Sequence, residues 1–433
     1  MTEQNKTLIV SFDAFGQEDV KKYIKEMPNL QRLVKGGTLI KSVAEIYPSL
    51  TYPSHTTIVT GDYPMSHKIV DNTLLQEKRF LHPDWNWWSR YIKTTTLYQI
   101  ANKSGMSVAS FLWPVTAGSK EIKYNLAEIF PNRIWENQYV KSFSSSSPLF
   151  LIQLQKRFGK LRDGIQQPQL DEFITRSAEW TIKEKKPDML LIHLVDLDSM
   201  RHKFGVNSKE AHEAILRLDK HLGILINAYG QESNNLNILV TGDHYQIDVD
   251  QMIHLNKLFF QNGWIDYNDE KQVINSWQVL AKTTDGSTYI YIKNKKLILG
   301  VKKLIQQYIG KSIEKIFDNG EIVALGADDK ADLMIEAKSG FYFTDEIKVS
   351  DLIEKIDDTK IGQPHRYKAV HGYHPKKNKY HTVSVFYGPK INKGKVISSA
   401  NLIDLAPTMA KILDLKFNRP TDGKIISGVI DEK

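Results

Sequence analysis

The sequence predicts an α/β protein with a mostly parallel central sheet and a smaller α+β cap. Three apolar runs support the sheet, namely TLIVSFD at 7–13, DMLLIHLVD at 188–196 and NILVTGD at 237–243. Such runs are typical of strands buried on both faces of a parallel sheet. Each run ends in aspartate, and open α/β sheets bind ligands at the carboxyl ends of their strands. We therefore expect a polar site along one edge of the sheet.

The length and composition indicate one large domain with an insertion, or two domains. The chain has 433 residues, 41% of them hydrophobic and 25% charged, which suits a globular protein. We expect a catalytic core in residues 1–246 and 366–433 and a cap in residues 247–365. In the cap, charged loops and short strands such as STYIYIKN replace the long apolar runs, and the core pattern resumes in HTVSVFYGP at 381–389.

Local signals place the other elements. They are a helix over 20–34 ended by two glycines, a strand over 107–114 stopped by Pro114, helices with polar loops over 115–186, a helix over 208–228, a cap helix over 302–309, a turn containing Lys282 and Asp285, and a closing helix over 402–413.

Composition and charge exclude several classes of protein. Cysteine is absent, which excludes disulfide scaffolds and a cysteine nucleophile. The N-terminus lacks the features of a signal peptide, and no run approaches about 18 apolar residues. We therefore expect a cytoplasmic protein without a membrane partner, or a secreted one whose export signal was removed. The net charge of +8 comes from dispersed lysines, which favours anionic small-molecule substrates and predicts no stable nucleic-acid partner. The oligomeric state stays open.

The stretch YPSLTYPSHTTIVTGDYPMSHKIVDN at 47–72 presents a hydroxyl, Thr51, in a proline-rich turn before a helical run. At a helix N-terminus, free N–H groups and the helix dipole favour an anion, as a nucleophile or a phosphoryl oxygen requires. The alternative is that Thr51 and Ser54 only cap the helix. His55 and His67 flank the turn, and we assign them orienting or structural roles.

Acids and histidines follow the predicted strands. They are Asp13, Asp196, Asp198 and Asp243, with His202 four residues after Asp198, His244 beside Asp243, and His371 at the start of HGYH. Crowded carboxylates repel one another unless protons or cations compensate their charge. The mixed oxygen and nitrogen donors favour zinc, leave manganese, iron or cobalt open, and disfavour calcium.

Asp196 and Asp198 compete for one metal-binding role. On an extended strand both would face the same side, because side chains alternate with a period of two. The spacing to His202 favours Asp198 as the ligand and gives Asp196 a hydrogen-bonding role. His193, in the middle of its strand, is predicted to be a core or orienting residue.

An aromatic region follows the Thr51 stretch. Trp85, Trp87 and Trp88 lie within four positions, and Trp113 comes later in FLWP. These rings either line a pocket that stacks a base or wedge a long loop onto the core, and the sequence leaves both open.

The motifs LIVSFDAF, PSLTYPSHTTIVTGDYPMSHKIVDN, VDLDSMRHKFG, TGDHY and HGYHP followed by FYGP resemble the ordered motifs of the nucleotide pyrophosphatase/phosphodiesterase family, within the alkaline phosphatase superfamily. The match runs from residue 7 to about 389. The resemblance implies an alkaline-phosphatase-like three-layer α/β/α fold. It also implies a metal-dependent hydrolase that cleaves phosphodiester or pyrophosphate bonds of nucleotide-type substrates through a phosphothreonine intermediate.

The resemblance further implies the residues of the site, with two divalent ions, Zn²⁺ or alternatively Mn²⁺. One ion would be held by Asp13, Thr51, Asp243 and His244. The other would be held by Asp198, His202 and His371, with His374 as a weaker competitor for the last position. Thr51 would be the nucleophile, and Asn72 would donate to a phosphate oxygen. The substrate pocket would include Asn72, Trp87, Trp88 and Trp113.

Chemistry and departures from the pattern limit the substrate. A neutral donor such as Asn72 favours diesters over monoesters, unless Arg90 or Arg201 enters the site. Tyr245, and Met200 with Arg201, stand where the family has small residues. Alternatives are a phosphomonoesterase or phosphonate hydrolase of the same superfamily, or an inactive ligand-binding member. A sulfatase is disfavoured because the residues after Thr51 lack the sulfatase pattern.

Overall fold

The computed structural model describes residues 6–76, 79–80, 83–133, 135–230 and 235–431. Its strands are β1 (Lys6–Phe12), β2 (Thr38–Ala44), β3 (Arg79–Phe80), β4 (Val108–Phe111), β5 (Tyr124–Leu126), β6 (Met189–Leu194), β7 (Leu236–Thr241), β8 (Ile247–Ile253), β9 (Ile265–Asn268), β10 (Val273–Trp277), β11 (Val279–Thr284), β12 (Ser287–Ile292), β13 (Ile313–Asp318), β14 (Leu333–Ala337), β15 (Gly340–Phe343), β16 (Ile353–Lys355), β17 (Ala369–Val370), β18 (Thr382–Tyr387), β19 (Lys395–Ile397) and β20 (Ala400–Asn401).

Its α-helices are α1 (Gln17–Tyr23), α2 (Pro28–Gly36), α3 (Thr51–Thr60), α4 (Pro64–His67), α5 (Leu97–Lys103), α6 (Gln138–Ser145), α7 (Pro148–Phe158), α8 (Gln169–Lys185), α9 (Asp196–Phe204), α10 (Lys209–Ala228), α11 (Leu255–Gln261), α12 (Ile298–Gln306), α13 (Asn319–Ala324) and α14 (Leu405–Ile412).

The central sheet has the strand order β19-β2-β18-β7-β1-β6-β4-β5, with β20 also paired to β2. All neighbouring pairs are parallel except the two made by β18, which runs antiparallel to β2 and β7. At the centre, Val10 of β1 is in register with Ile192 of β6 and Val240 of β7. The predicted α/β class with a mostly parallel sheet is confirmed.

The reversed direction of β18 matters for the site. Its first residues pair beside Thr241 at the end of β7, since Ser384 is in register with Thr241. The segment that precedes β18 therefore reaches the edge where β1, β6 and β7 end. This is how His371, which comes before an antiparallel strand, meets acids that come after parallel strands.

Helices cover both faces of the sheet. Leu8 and Val10 pack with residues of α2, α8 and α10 on one face, whereas Ile9 packs with residues of α3, α5 and α14 on the other. Adjacent residues of β1 face opposite layers because side chains alternate along a strand. The result is the three-layer α/β/α arrangement that the sequence predicts.

The chain between β7 and β18 forms smaller sheets around a separate apolar core. Their strand orders are β11-β12-β14-β13, β15-β8-β16 with β17 also on β8, and β10-β9. The last pair is joined by β3, which comes from residues 79–80, outside the predicted cap. The return to the main sheet passes through β17, where Ala369 pairs with Asp248 of β8. The exact cap boundaries at residues 246 and 366 stay a prediction.

Several predicted elements differ from the structure. The cap helix expected over 302–309 is Ile298–Gln306, and β5 lies within 115–186, where helices and loops were expected. The helix expected over 20–34 is broken, because α1 ends at Tyr23 and α2 begins at Pro28. Proline is favoured in the first turn of a helix and disfavoured inside one, so it starts a new helix here. The strand expected over 107–114 covers only Val108–Phe111. None of the helices in the described ranges is long and apolar enough to cross a membrane.

Candidate active site

Thr51 is the first residue of α3, and its hydroxyl points to the sheet edge. The capping position belongs to Leu50, which is extended and offers no side-chain cap. Thr51 Oγ1 lies 3.1 Å from Nε2 of His244 instead. Its side chain is therefore held by the acid-and-histidine cluster, at the positive end of the helix dipole.

Three oxygen atoms converge on the same nitrogen. Nε2 of His244 lies 3.2 Å from Asp13 Oδ1 and 3.3 Å from Asp243 Oδ2, in addition to the Thr51 hydroxyl. Asp13 follows β1 and Asp243 follows β7, so adjacent parallel strands bring the two carboxylates together. The other three predicted residues of the first metal site thus lie within contact distance of His244.

The second group is built on α9. Asp198 and His202 are four residues apart, and Asp198 Oδ1 lies 3.3 Å from His202 Nε2. The Nδ1–H of His202 donates to the Ala369 carbonyl at 2.7 Å, which leaves Nε2 as the free ligand atom. His371 lies beside both groups, with its ring centroid 5.3 Å from that of His202 and 4.0 Å from that of His244.

The prediction that Asp196 and Asp198 lie on an extended strand is wrong. β6 ends at Leu194, and both acids lie in the first turn of α9, not on an extended strand. Residues two apart on an α-helix point in widely different directions, since each residue turns the chain by about 100°. Asp196 accepts a hydrogen bond from Arg217 Nε at 2.6 Å, whereas Asp198 faces His202.

The cluster has perturbed acid–base properties. Burial, together with the charge of Asp198, raises the pKa of Asp13 to about 7. Burial likewise raises the pKa of Asp243 well above its ordinary value, with Asp13 adding to the effect. Burial opposes a charge on His202, but the Asp198 carboxylate outweighs this and raises the pKa of His202 to about 9. Burial lowers the pKa of His371 to about 4.

These residues fit divalent cations. Among the described residues, no hydrogen bond reaches the buried atoms Asp13 Oδ1 and Asp243 Oδ2. Ligand atoms around a tetrahedral Zn²⁺, at about 2.0–2.2 Å from it, lie about 3.3–3.6 Å apart, close to the separations around His244. Two triplets have ligand atoms within 4.8 Å of one another, namely Asp198, His202 and His371, and Asp13, Asp198 and His244. Asp198 lies between the two groups.

Two other histidines contact the predicted metal ligands. His193 Nε2 lies 2.8 Å from Asp13 Oδ2, and its Nδ1–H donates to the Leu112 carbonyl. His55 Nδ1–H donates to the Thr51 carbonyl at 2.8 Å and lies 3.4 Å from Asp243. Both rings are buried and pack on each other, with centroids 4.2 Å apart. His67 takes no part in these contacts, and its Nε2 forms a hydrogen bond with Thr57 Oγ1 at 3.1 Å.

Asn72 lies beside the start of α3. Its Oδ1 accepts the backbone N–H of Tyr52 at 2.9 Å, which fixes the amide so that the NH₂ group is the remaining donor. His374 lies elsewhere, because its ring stacks on Phe317 and its backbone N–H donates to Glu336. Of the two histidines of HGYH, His371 is the one beside His202 and His244.

Two of the three tryptophans predicted to line the substrate pocket are buried in the protein. Trp113 is fully buried behind His55, with ring centroids 4.9 Å apart. Trp87 is 4% exposed, meets Phe130 edge to face and has Lys141 over its ring. Trp88 is partly exposed and carries Arg90 over its ring at 4.4 Å. Trp88 therefore offers accessible surface, whereas Trp87 and Trp113 serve packing.

The departures from the family pattern contact each other. The Arg201 guanidinium lies 4.7 Å from the centre of the Tyr245 ring, and Arg201 Nη2 lies 2.6 Å from Asp19 Oδ1. Gly16 leaves room for the ring, because a Cβ there would lie 2.4 Å from Tyr245. Tyr245 is buried in this contact, so its bulk is accommodated by Arg201 and Gly16.

Sequence reasoning missed three polar neighbours of the site. Gln246 Nε2 donates to Asp198 Oδ1, Glu128 Oε2 lies 3.7 Å from His193 Nδ1, and Asp285 Oδ2 lies 3.8 Å from His371 Nε2. Gln246 had a signal, since it follows His244 by two residues. Glu128 and Asp285 reach the site through tertiary contacts, which no local pattern contains.

A three-layer fold with acids, histidines and a helix-bound threonine gathered at one sheet edge defines the alkaline-phosphatase-like α/β class. The profile described as type I phosphodiesterase / nucleotide pyrophosphatase matches residues 7–374. The chain therefore belongs to this family, and the resemblance drawn from its motifs is confirmed.

Curated relatives are distant in sequence but match almost all of this chain. Venom phosphodiesterase 2 of Crotalus adamanteus is 24% identical over 430 residues, covering 96% of this chain and 46% of the relative. The bis(5'-adenosyl)-triphosphatase ENPP4 of Homo sapiens is 24% identical over 428 residues, covering 95% and 78%. This chain thus spans less than half the length of the venom protein.

Solved structures share the fold. Human ectonucleotide pyrophosphatase / phosphodiesterase 5 superimposes with a TM-score of 0.66 at 20% identity, covering 97% of each chain. An inactive threonine-to-alanine variant of the murine protein, in complex with AMP, gives a TM-score of 0.64 at 19% identity, again covering 97% of each chain.

Proposed function

We propose that this chain is a metal-dependent hydrolase that cleaves phosphodiester or pyrophosphate bonds of nucleotide-type substrates through an ester of Thr51. The observation that carries the proposal is the 3.1 Å contact between Thr51 Oγ1 and His244 Nε2, at the N-terminus of α3. A hydroxyl in that position meets carboxylates on one side and free helix N–H groups on the other.

The residues would hold two divalent cations. Asp13, Thr51, Asp243 and His244 would hold one, and Asp198, His202 and His371 the other, with Zn²⁺ the best match to mixed nitrogen and oxygen donors and Mn²⁺ the alternative. When bound, such a pair neutralises charge on the attacking and leaving oxygens of an in-line displacement.

Thr51, Asn72 and the N-terminus of α3 would have different roles in the reaction. Thr51 Oγ1 attacks phosphorus and forms a new P–O bond while the bond to the leaving group breaks, and the threonine proton ends on the leaving oxygen. Water then attacks the same phosphorus, returns a proton to the threonine oxygen, and releases the remaining phosphate ester as the product. The helix N-terminus of α3 and the NH₂ group of Asn72 would bind the non-bridging oxygens.

The charge around Asn72 favours diesters. A diester carries one negative charge at the reacting group and a monoester nearly two, so monoesters need an additional cationic donor. The two arginines considered for that role have other partners, since Arg201 is buried on Asp19 and Arg90 stacks on Trp88. A neutral donor set fits a singly charged phosphoryl group best.

The relatives favour a nucleotide substrate. Their names include phosphodiesterases and a bis(5'-adenosyl)-triphosphatase, and a similar structure holds AMP. Partly exposed Trp88 is the pocket residue that we propose for base stacking. The venom relatives occur in a secreted fluid, which favours the secreted alternative over the cytoplasmic one, and fractionation of source cells tests this.

The test compares three chromogenic substrates, a phosphodiester, the matching monoester and a sulfate ester, each with zinc and with manganese. We expect the diester to be hydrolysed fastest, with activity lost after chelation and in Thr51→Ala. Faster monoester turnover would favour the phosphomonoesterase alternative. Metal binding without turnover of any substrate would favour an inactive ligand-binding member.

A further inference from the structure

Exposed apolar side chains are concentrated in one segment of the chain. Of the fifteen large hydrophobic side chains that are exposed in the described ranges, eight lie between residues 135 and 165. Hydrophobic residues scattered singly over a surface need no explanation, but a contiguous apolar patch marks a site of interaction. The concentration of these side chains therefore indicates an interaction surface in this segment.

The exposed side chains share one side of the helix pair α6 and α7. Tyr139 and Phe143 lie four residues apart on α6, and residues at this spacing are neighbours on a helix face. Leu149 and Ile152 lie three residues apart on α7. Tyr139, Phe143 and Ile152 line a single cavity of about 330 Å³. We call the surface formed by Tyr139, Val140, Phe143, Leu149 and Ile152 the α6–α7 surface.

The apolar side chains of this surface are not needed by the core. Helix α7 already contributes Phe150 and Leu154 to the buried cluster on one face of the main sheet. A helix with one buried face normally has a polar face toward solvent. On α7, however, Leu149 is 78% exposed and Ile152 is 51% exposed. The helix therefore has a second apolar side that no described part of the chain covers.

Cations surround the α6–α7 surface. From residue 138 to residue 162 the chain has five lysines and arginines and no acid, and Asp163 is the first acid that follows. Lys156, four residues after Ile152 on α7, and Arg162 line the same cavity, and Lys160 is exposed nearby. Within the part of the chain that the structure describes, none of these three forms a salt bridge. An anionic partner would compensate their charge.

The mixture of apolar and cationic side chains distinguishes between partners. A two-fold contact between copies of this chain would bring the same cations against each other, which is repulsive. Lysine is also depleted at interfaces between proteins. Aromatic and aliphatic side chains beside lysine and arginine are instead typical of segments that lie at the surface of a membrane with anionic lipids. Charge complementarity therefore favours such a membrane.

We propose that the α6–α7 surface docks on a membrane that contains anionic lipids. Leu149 and Ile152 would enter the boundary between headgroups and acyl chains, and Lys156, Lys160 and Arg162 would contact the headgroups. The expectation of no membrane partner rested on the lack of a long apolar run, which a spanning helix needs but a surface-bound helix pair does not. The cavity shares no residue with the candidate active site, so this inference is independent of the proposed function.

The test is co-sedimentation of the full chain with vesicles of phosphatidylcholine, either alone or with about a third phosphatidylglycerol. Leu149→Ser combined with Ile152→Ser removes the exposed apolar side of α7. Leu299→Ser combined with Ile309→Ser is the matched control, because these cap residues are 80% and 45% exposed. We expect wild type and control to bind the anionic vesicles, and the Leu149/Ile152 variant to bind them at least about tenfold more weakly.

A second variant tests the contribution of charge. Lys156→Gln combined with Lys160→Gln should weaken binding to the anionic vesicles about tenfold, and wild-type binding should fall as the salt concentration rises. Lys302→Gln combined with Lys303→Gln, on α12 of the cap, is the control and should bind like wild type. Equal binding of wild type to neutral and anionic vesicles would contradict the role of the cations.

Absence of wild-type binding to anionic vesicles, or binding by both surface variants as strong as that of the controls, would overturn the inference. Dimerisation of wild type that the Leu149/Ile152 variant abolishes, without vesicle binding, would assign the surface to a second copy of the chain. Melting temperatures identify a folding defect, and because the two variants change different residues, one remains decisive if the other is unstable. Vesicle binding is measured without substrate, so its failure leaves the proposed function intact.

Discussion

Nε2 of His193 lies 2.8 Å from Oδ2 of Asp13, and this contact leaves Asp13 Oδ1 facing His244. The Leu112 carbonyl takes the Nδ1–H of His193, so Nε2 carries a proton for Asp13 only when the ring is cationic. Burial opposes that charge, but the hydrogen bond with Asp13 outweighs it and raises the pKa of His193 well above its ordinary value. His193 thus sets the orientation of the carboxylate that we propose as a metal ligand.

Replacing His193 by phenylalanine keeps a ring but removes the hydrogen bond to Asp13. Loss of such an outer partner typically weakens metal affinity about 10–100-fold. We expect a loss of this size in zinc titration, with partial recovery in His193→Gln, whose amide can still donate. His212→Gln, at a surface histidine paired with Glu26, is the control. Unchanged zinc affinity in His193→Phe would contradict the orienting role.

The pH dependence of stability in the metal-free protein reports on Asp285. Its pKa in the folded state, about 7, exceeds the ordinary value of 3.8. A raised folded pKa contributes stability that is fully present below about 3.8 and is lost as pH rises through about 7. The melting temperature of wild type relative to Asp285→Asn should therefore fall between about pH 4 and pH 7. A pH-independent difference would speak against a raised pKa of Asp285 in the folded state.

Asp71 and Lys282 form a buried ion pair that joins β11 to the loop of Asn72. Lys282 Nζ also donates to Thr73 Oγ1 at 3.0 Å. Lys282→Met leaves a buried carboxylate without its cation, which typically costs about 3–5 kcal/mol. We expect a loss of this size in urea unfolding, together with a lower kcat because the Asn72 loop is released. Asp71→Asn combined with Lys282→Met should recover much of the stability, and absence of recovery would show that the pair is not coupled.

Tyr245 is predicted to support the fold without selecting the substrate. Its ring packs against Gly16 and under Arg201. Tyr245→Ala should cost about 3–5 kcal/mol of unfolding free energy, as removal of a buried aromatic ring usually does, whereas Tyr245→Phe should cost much less. The ratio of diesterase to monoesterase activity should stay the same in Tyr245→Phe. A changed ratio would place Tyr245 in the substrate site.

Local patterns predict the parts of this fold that depend on local physics. Apolar runs ending in acids identify β1, β6 and β7, because a strand buried on both faces has no polar side and its ligand-binding groups follow its end. The spacing of Asp198 and His202 predicts a shared helix face only once the segment is known to be helical. An extended conformation was predicted for the segment of Asp196 and Asp198. Asp198 was therefore chosen as the ligand without the helical geometry that distinguishes it from Asp196.

Tertiary contacts explain what the sequence leaves out. Asp285 and Glu128 approach the site across the fold, and no spacing along the chain records their distances to His371 and His193. The roles of the tryptophans also could not be predicted from the sequence. Composition cannot distinguish a stacking platform from a packed ring, and burial assigns Trp113 to packing and leaves Trp88 accessible.

The role of Thr51 is decided by trapping the covalent intermediate. The zinc-loaded protein is mixed with a phosphodiester whose phosphorus carries a radioactive label, quenched with acid during turnover, digested and sequenced by mass spectrometry. We expect the label on the peptide that contains Thr51, and none in Thr51→Ala, which should still bind two zinc ions. Diester turnover by Thr51→Ala at the wild-type rate, or label on another residue, would contradict Thr51 as the nucleophile of a two-cation site.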